Sequence, residues 1–353
     1  MEYQEMKHSA NRRNFLKQAT LGIGTFTALP SLDLPLLAAD LGSRIKAVEL
    51  LVLKQNREQR RVLKVISSTG VAGYADFPDL DYAPSFGAVA KKYLIGANPF
   101  AVEAIWSTMR RAGVLCSHRT AVDYALWDLL GKETGKPVYE LLGGQVHDRL
   151  RTYTYLYPAD GDVYPSDQDD QHIYVNADVA AQRALDYVEQ GFTAVKFDPA
   201  GAYTVYDGGM PTLEELDRSE RFVTTIRAAV GERADVLFGT HGQFTAAGAL
   251  RLAKRLEASD PLWFEEPTPP ENTREMARVA AGTTIPVATG ERLCTKHEFA
   301  RVLQAGAAAI LQPNLGRVGG LLEAKKIAAL AEGYYAQIAP HLYCGPIVGA
   351  ANK

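Results

Sequence analysis

Beyond residue 150, short apolar runs alternate with longer amphipathic stretches, and this rhythm limits the fold more than any other feature of the chain. The runs are RTYTYLY, AVKFD, VLFGT, LWFEEP, PVATGE, AAILQP and YAQIAPH. Between them lie helical patterns such as VAAQRALDYVEQG, EELDRSERFVTTIRAAVG, AAGALRLAKRLEA, KHEFARVLQAG and GLLEAKKIAALAEG. Strand then helix, repeated, predicts a parallel sheet with crossover helices. Runs that are apolar at successive positions fit strands buried on both faces. A β/α barrel is expected over residues 151–353, with residues 40–150 as a smaller α+β capping domain.

In that first region IKAVELLVL reads as a strand, and RVLKVISSTGVAGYADF as two more about a turn. FGAVAKKYLIG, AVEAIWSTMRRAG and HRTAVDYALWDLLGKETG follow as helices, the last with Ala121, Ala125 and Leu129 on one face. The chain is large enough for an ample core, with 353 residues, 47% of them hydrophobic. A net charge of -3 with no long basic tract argues against a nucleic-acid partner. Cys116, Cys294 and Cys344 are too few and scattered for a disulfide framework or zinc site, and are expected to be small buried hydrophobes.

The N-terminus has a different character. Arg12 and Arg13 precede a short, mildly apolar, Gly/Thr-rich run that ends near Pro30. The run is too short to span a bilayer, and a charged segment before a modest apolar one reads as a signal peptide. The paired arginines followed by Asn14, Phe15, Leu16 and Lys17 resemble a twin-arginine export signal. Residues 1–39 are therefore expected to be removed near Ala38 or Ala39. The mature protein would be periplasmic or extracellular, with no membrane association.

A β/α barrel places its chemistry at the C-terminal ends of its strands. Those ends carry Lys196 and Asp198, then His241, then Glu265 and Glu266, then Glu291, then Gln312 and Asn314, then His341. One polar strand end means only that a strand has stopped. Six in succession, all on the end a barrel uses, point to a site. Glu265 and Glu291 end neighbouring strands, about 4.8 Å apart in a sheet. Two carboxylates that close repel unless a proton or a cation stands between them. Oxygen ligands with vacant positions suit Mg²⁺, which stabilises the enediolate formed when a proton leaves the carbon next to a carboxylate. Lys196 and His341 are candidate bases on either side. Glu266 has an equally good reading as an ion-pair partner of a neighbouring Arg or Lys. His118, His147 and His297 are expected at the surface or at helix ends. The acidic stretch DGDVYPSDQDDQH reads as a solvated loop.

AVDYALWDLLGKETGKPVYELLGG, LWFEEPTPPEN, IPVATGERL and LQPNLGRVGGLLEAKKIAALAE resemble the mandelate racemase and muconate-lactonising branch of the enolase superfamily. KFDPAG, the pair His241-Gly242 and APHLYCGPI are most similar to its acid-sugar dehydratases of the galactonate dehydratase type. The resemblance runs from about Ile45 to the C-terminus. It implies an α+β cap, a modified β/α barrel, one Mg²⁺ per subunit, a sugar-acid substrate and α-proton abstraction followed by loss of a β-hydroxyl. Carried over by position, Glu265 and Glu291 are metal ligands, His341 is the base, His241 the acid for the departing hydroxyl, and Lys196 stands where the strand-two base begins. A homo-oligomer is compatible with this reading.

Three departures stand out. The family's third metal carboxylate falls at Gly239, which leaves His241 or water to complete the shell and predicts weaker binding. The aspartate that pairs with the strand-seven histidine is Asn314, which orients an imidazole without stabilising its charged form. The barrel is expected to be truncated after its seventh strand, since residues 151–353 stand at the short limit of roughly 200 residues for such a barrel. Asp198 also breaks a Lys-x-Lys pattern, which disfavours racemase or cycloisomerase chemistry. Two readings stay open, an acid-sugar dehydratase and a catalytically impaired relative.

Overall fold

The computed structural model describes residues 42–353 apart from 56–57, 78–82, 159–171 and 201–207. Arg12, Arg13 and the expected signal peptide lie outside the described residues, as does all of the acidic stretch except His172. The α+β region begins with an antiparallel meander of β1 (Ile45–Gln55), β2 (Glu58–Ser67) and β3 (Ala72–Asp76). Leu63 and Val65 of β2 alternate with half-buried neighbours, so one face of the meander meets the core and the other meets solvent.

Four helices follow: α1 (Ala83–Tyr93), α2 (Val102–Arg111), α3 (Cys116–Thr134) and α4 (Val138–Leu141). Helix α3 is buried over most of its length and lies against the meander. It ends at Gly135, whose φ of 65° supplies the left-handed residue common at helix C-termini. The Tyr74 amide of β3 donates to Asp128 of α3 at 2.8 Å.

The second region is seven parallel strands in sequential order: β4 (Thr154–Tyr155), β5 (Ala194–Phe197), β6 (Asp235–Phe238), β7 (Trp263–Glu265), β8 (Val287–Thr289), β9 (Ile310–Leu311) and β10 (Gln337–Ile338). They curl into an enolase-type half-barrel and match the seven runs read from the sequence. Crossing between them are α5 (Ala177–Glu189), α6 (Leu213–Val230), α7 (Ala246–Leu256), α8 (Thr273–Gly282), α9 (Lys296–Gln304) and α10 (Leu321–Gly333), with α11 (Pro346–Ala351) last. Local sequence sets where most of these helices start. Thr212, Thr245, Asn272 and Thr295 each accept a backbone N–H of the first turn, and Thr212 forms a full capping box with Glu215.

The two faces of the curled sheet differ in partners. Val195, Phe197, Val236, Phe238, Phe264 and Val287 join the main core with the helices. The alternate residues Ala194, Leu237, Trp263, Ala288 and Ile310 form a separate small cluster, which is the barrel interior.

The α+β region is bonded to the barrel at the glycine pair before α10. Trp106 Nε1 donates to the Gly319 carbonyl at 2.7 Å, the Gly319 amide donates to Thr120 at 2.9 Å, and the Leu321 amide donates to Asp123 at 2.7 Å. The three cysteines are free, and none is fully buried: Cys116 and Cys294 are half-buried and Cys344 is exposed. The expectation of buried cysteines is corrected accordingly. The Cys116 thiol, in α3, donates to the Cys294 carbonyl at 3.2 Å, which adds another tie between the two regions. Among the described residues no helix is long and apolar enough to cross a membrane.

His147 and His297 are exposed, as expected. His118 meets the helix-end half of the expectation. It sits in the first turn of α3 but is buried, stacked on Phe77 at 5.3 Å and edge-on to Phe86 at 5.2 Å. No sequence pattern marked it, because a histidine near a helix start reads the same whether the helix faces solvent or core. Burial lowers its pKa below the ordinary 6.5, so the folded state resists a proton that the unfolded chain accepts. The stability this contributes is present above pH 6.5 and is lost as pH falls towards the lowered value, by up to ~1.4 kcal/mol per pH unit. Urea unfolding at neutral and mildly acidic pH is expected to show a smaller loss in His118→Phe than in the native chain. An equal loss in both proteins would assign the acid sensitivity to other groups.

Candidate active site

Counting forward by two along the strands from the interior cluster reaches the site. Ala194 leads to Lys196 and Asp198, Leu237 to Gly239 and His241, Trp263 to Glu265, and Ile310 to Gln312 and Asn314. Glu291 lies just beyond β8 and His341 just beyond β10. The site is therefore the next layer of the barrel interior, at the C-terminal end of the sheet. It opens into a cavity of about 2200 Å³ whose lining includes Lys196, Asp198, His241, Glu291, Asn314 and His341.

Lys196, Asp198, His241, Glu291, Asn314 and His341 line that cavity, Glu265 and Gln312 are buried and linked to Lys196, and Glu266 turns to Arg292 instead. Lys196 and Glu265, both buried, form a direct ion pair. The other oxygen of Glu265 accepts from Gln312 Nε2 at 2.7 Å and from Trp263 Nε1 at 3.1 Å. Burial opposes the Lys196 charge, but the carboxylates of Glu265 and Asp198 outweigh it and hold the ammonium well above its ordinary range. A lysine held charged in this way counts against the candidate base read from the sequence, in the paired state. Burial likewise opposes the Glu265 charge, and the Lys196 charge and hydrogen bond hold the carboxyl below its ordinary range.

His241 stands between two carboxylates, with Nδ1 3.7 Å from Asp198 and Nε2 3.9 Å from Glu291. The φ of 71° at Gly242 turns the chain immediately after it. His341 approaches the same Glu291 from β10, its Nε2 3.3 Å from Oε2. Its Nδ1 is 3.0 Å from Asn314 Nδ2, and Asn314 and His341 form a parallel bridge. Because Asn314 Oδ1 accepts from the Gly316 amide at 2.8 Å, the amide group facing the ring is the donor. His341 Nδ1 must accept, so in the neutral ring the proton sits on Nε2. An aspartate at 314 would select the opposite tautomer.

Glu266 takes the ion-pair role. Arg292 Nε donates to it at 2.8 Å, and both side chains are buried. Burial first, then the Glu291 charge, pushes this carboxyl up to about 8 against the pull of Arg292. Its φ of 38° is left-handed, held by Glu266 N–H to Ala288 at 2.8 Å and Gly242 N–H to Glu266 at 2.7 Å. The sequence reasoning missed both Arg292 as its partner and the Lys196–Glu265 pair. Both follow from which strand ends become neighbours.

Asp198, Glu265 and Glu291 supply hard oxygen donors of the kind Mg²⁺ takes. The fully buried Gln312 adds an Oε1 with no hydrogen-bond partner among the described residues. Three carboxylates against one ammonium leave negative charge in excess, so the donor set fits a divalent cation. Among the described residues no three His, Cys, Asp or Glu side chains close round one point as the ligands of a bound ion do. Lys196 supplies the countercharge there instead.

Comparison with known proteins bears on the family and the fold. Residues 48–143 match the mandelate racemase / muconate lactonizing enzyme N-terminal domain, and residues 179–352 match the enolase C-terminal domain-like family. The chain is 38% identical over 298 residues to a D-galactonate dehydratase of Ralstonia pickettii (strain 12J), covering 82% of this chain and 73% of that one. A D-galactonate dehydratase of Verminephrobacter eiseniae (strain EF01-2) is 37% identical over the same shares. A solved mandelate racemase/muconate lactonizing enzyme from Sulfitobacter sp. superposes with a TM-score of 0.80 at 44% identity, covering 88% of this chain and 81% of that one. One from Jannaschia sp. CCS1 superposes with a TM-score of 0.79 at 40% identity, covering 88% and 83%.

The buried pair at the centre of the site has a measurable cost when half of it is removed. Lys196→Met leaves Glu265 charged and dry, and is expected to lower stability by roughly 3 kcal/mol. Adding Glu265→Gln to that variant should restore most of the loss, as a double-mutant cycle in urea will show. Additive losses would mean that the two groups do not depend on each other.

Proposed function

The chain belongs to the mandelate racemase and muconate-lactonising branch of the enolase superfamily, and from that premise we propose that it is a Mg²⁺-dependent acid-sugar dehydratase. Such a hydro-lyase removes the proton α to a carboxylate, expels the β-hydroxyl as water and leaves a 2-oxo-3-deoxy acid. The observation that carries the reading is the pair of histidines meeting Glu291 from two strand ends, at 3.9 and 3.3 Å. Dehydration needs a proton taken from the α-carbon and a proton returned to the departing hydroxyl, with both within reach of one bound molecule.

Glu265 and Glu291 are the residues that would hold Mg²⁺, which supplies positive charge against the carboxylate and the developing enediolate. The chain's own residues move the protons. With its ring proton on Nε2, neutral His341 offers an N–H hydrogen bond to the departing hydroxyl, and the proton that completes the water is the one His241 has taken. This reading gives it the departing hydroxyl and gives His241 the α-proton, the reverse of the assignment made by position. Asn314 acts through His341 by fixing that tautomer. The paired Lys196 balances charge and orients Glu265. The substrate is a small sugar acid, whose carboxylate would meet the divalent cation.

An acid-sugar library with Mg²⁺, assayed for 2-oxo acid product, tests the reading. Turnover of at least one acid sugar is expected. Mg²⁺ binding without turnover of any would favour the impaired relative. With the active substrate, His241→Asn is expected to abolish exchange of the α-proton with solvent deuterium, and His341→Asn to slow dehydration while leaving exchange. The opposite pattern would return the base to His341.

We also propose export through the twin-arginine route, on the strength of Arg12 and Arg13 alone. Replacing both with lysine should hold the protein in the cytoplasm. Unchanged export in a fractionation experiment would refute the proposal.

A further inference from the structure

We infer that Asp198 is the third carboxylate of the divalent-cation site, reaching from β5 across Gly239 into the place that a side chain on β6 would otherwise fill. The inference rests on the dehydratase reading for the cation and goes beyond it in naming the ligand.

The geometry is direct. Phe197 of β5 pairs in register with Phe238 of β6, so the next residues, Asp198 and Gly239, also lie side by side. A Cβ built on Gly239 would fall 1.4 Å from Asp198 Oδ1, 2.4 Å from its Cγ and 2.7 Å from Lys196 Cε. Those separations are far inside contact, so the Asp198 carboxylate occupies the space of a residue-239 side chain. Gly239 has an ordinary backbone φ, since it is absent from the positive-φ glycines. Close approach, not chain conformation, is what calls for glycine here.

The surroundings fit a cation. Asp198 is buried, and its Oδ2 faces His241 Nδ1 at 3.7 Å, while the same ring faces Glu291 at 3.9 Å. The carboxylates of Asp198 and Glu291 thus flank one imidazole, and Glu265 stands on β7, next to the strand that leads to Glu291. Gln312 offers a second line of support. It is fully buried against Glu265, at 2.7 Å, and has an amide oxygen with no hydrogen-bond partner among the described residues. A divalent cation would take over from Lys196 the neutralisation of Glu265. Gly239 is then not a missing ligand, because the oxygen donor has moved one strand along.

Mn²⁺ titration of the intact chain, followed by the loss of the free-ion EPR signal, reads the site without any need for turnover. The native chain is expected to bind one Mn²⁺. Asp198→Asn, which keeps shape and loses charge, should weaken binding by roughly tenfold or more. Gly239→Ala, which adds only a methyl group where the carboxylate lies, should weaken it as well, and it decides the matter if the Asn variant does not fold. Gly239→Asp alone should not tighten binding, because two carboxylates would compete for one place. Asp198→Gly combined with Gly239→Asp should recover affinity. Native-level binding in folded Asp198→Asn or in Gly239→Ala would overturn the inference and leave the dehydratase reading standing. Absence of binding in the native chain would overturn both.

Discussion

A parallel strand turns every second side chain to the barrel interior, and the candidate site is a consequence of that period. The small cluster of Ala194, Leu237, Trp263, Ala288 and Ile310 occupies one interior layer. The next layer up cannot also be apolar at Lys196, Glu265 and Gln312, so it must satisfy its charges internally. It does so through the Lys196–Glu265 pair and the Gln312 and Trp263 hydrogen bonds. Everything nearer the mouth, including both histidines and Glu291, is built on that polar floor. The floor also explains the shape of the electrostatics. Carboxylates from separate strands accumulate on one side, and one lysine offsets only part of their charge.

Much of this was legible in the sequence. The seven strands, their order and the concentration of function at one end followed from apolar runs with polar terminations. The neighbouring places of Glu265 and Glu291, and of Asn314 and His341, followed from strand order. What escaped was whatever depends on the distance between side chains on different strands. Lys196 looked like a base because a strand-end lysine in a cavity has two fates, and only the position of Glu265 selects between them. Glu266 looked like a ligand or an ion pair until Arg292 was placed beside it. The burial of His118 escaped because the aromatic pair that covers it, Phe77 and Phe86, lies outside its helix. Gly239 looked like a loss because one strand cannot report what its neighbour pushes into it.

Asn314 shows how a one-atom substitution changes chemistry without changing architecture. Asparagine and aspartate fill the same volume, bridge the same strand and meet the same ring. The Gly316 amide already occupies the acceptor end, so the group left for His341 is a donor. The imidazole must then carry its proton on the far nitrogen. The tautomer of the ring is thus set by a backbone N–H two residues beyond Asn314, in the loop after β9.

The link between Asp123 and the Leu321 amide has a thermodynamic meaning beyond positioning. Helix α10 begins at Leu321, and the Gly320 before it has no side chain to cap it. Its cap comes instead from α3, nearly two hundred residues earlier in the chain. An element of the barrel thus ends correctly only while the meander and its helices are folded against it. Separate melting would expose the amides at the start of α10 and a buried carboxylate at once. The two regions are coupled so that neither has an inexpensive partly unfolded state, and heating should therefore dismantle them together.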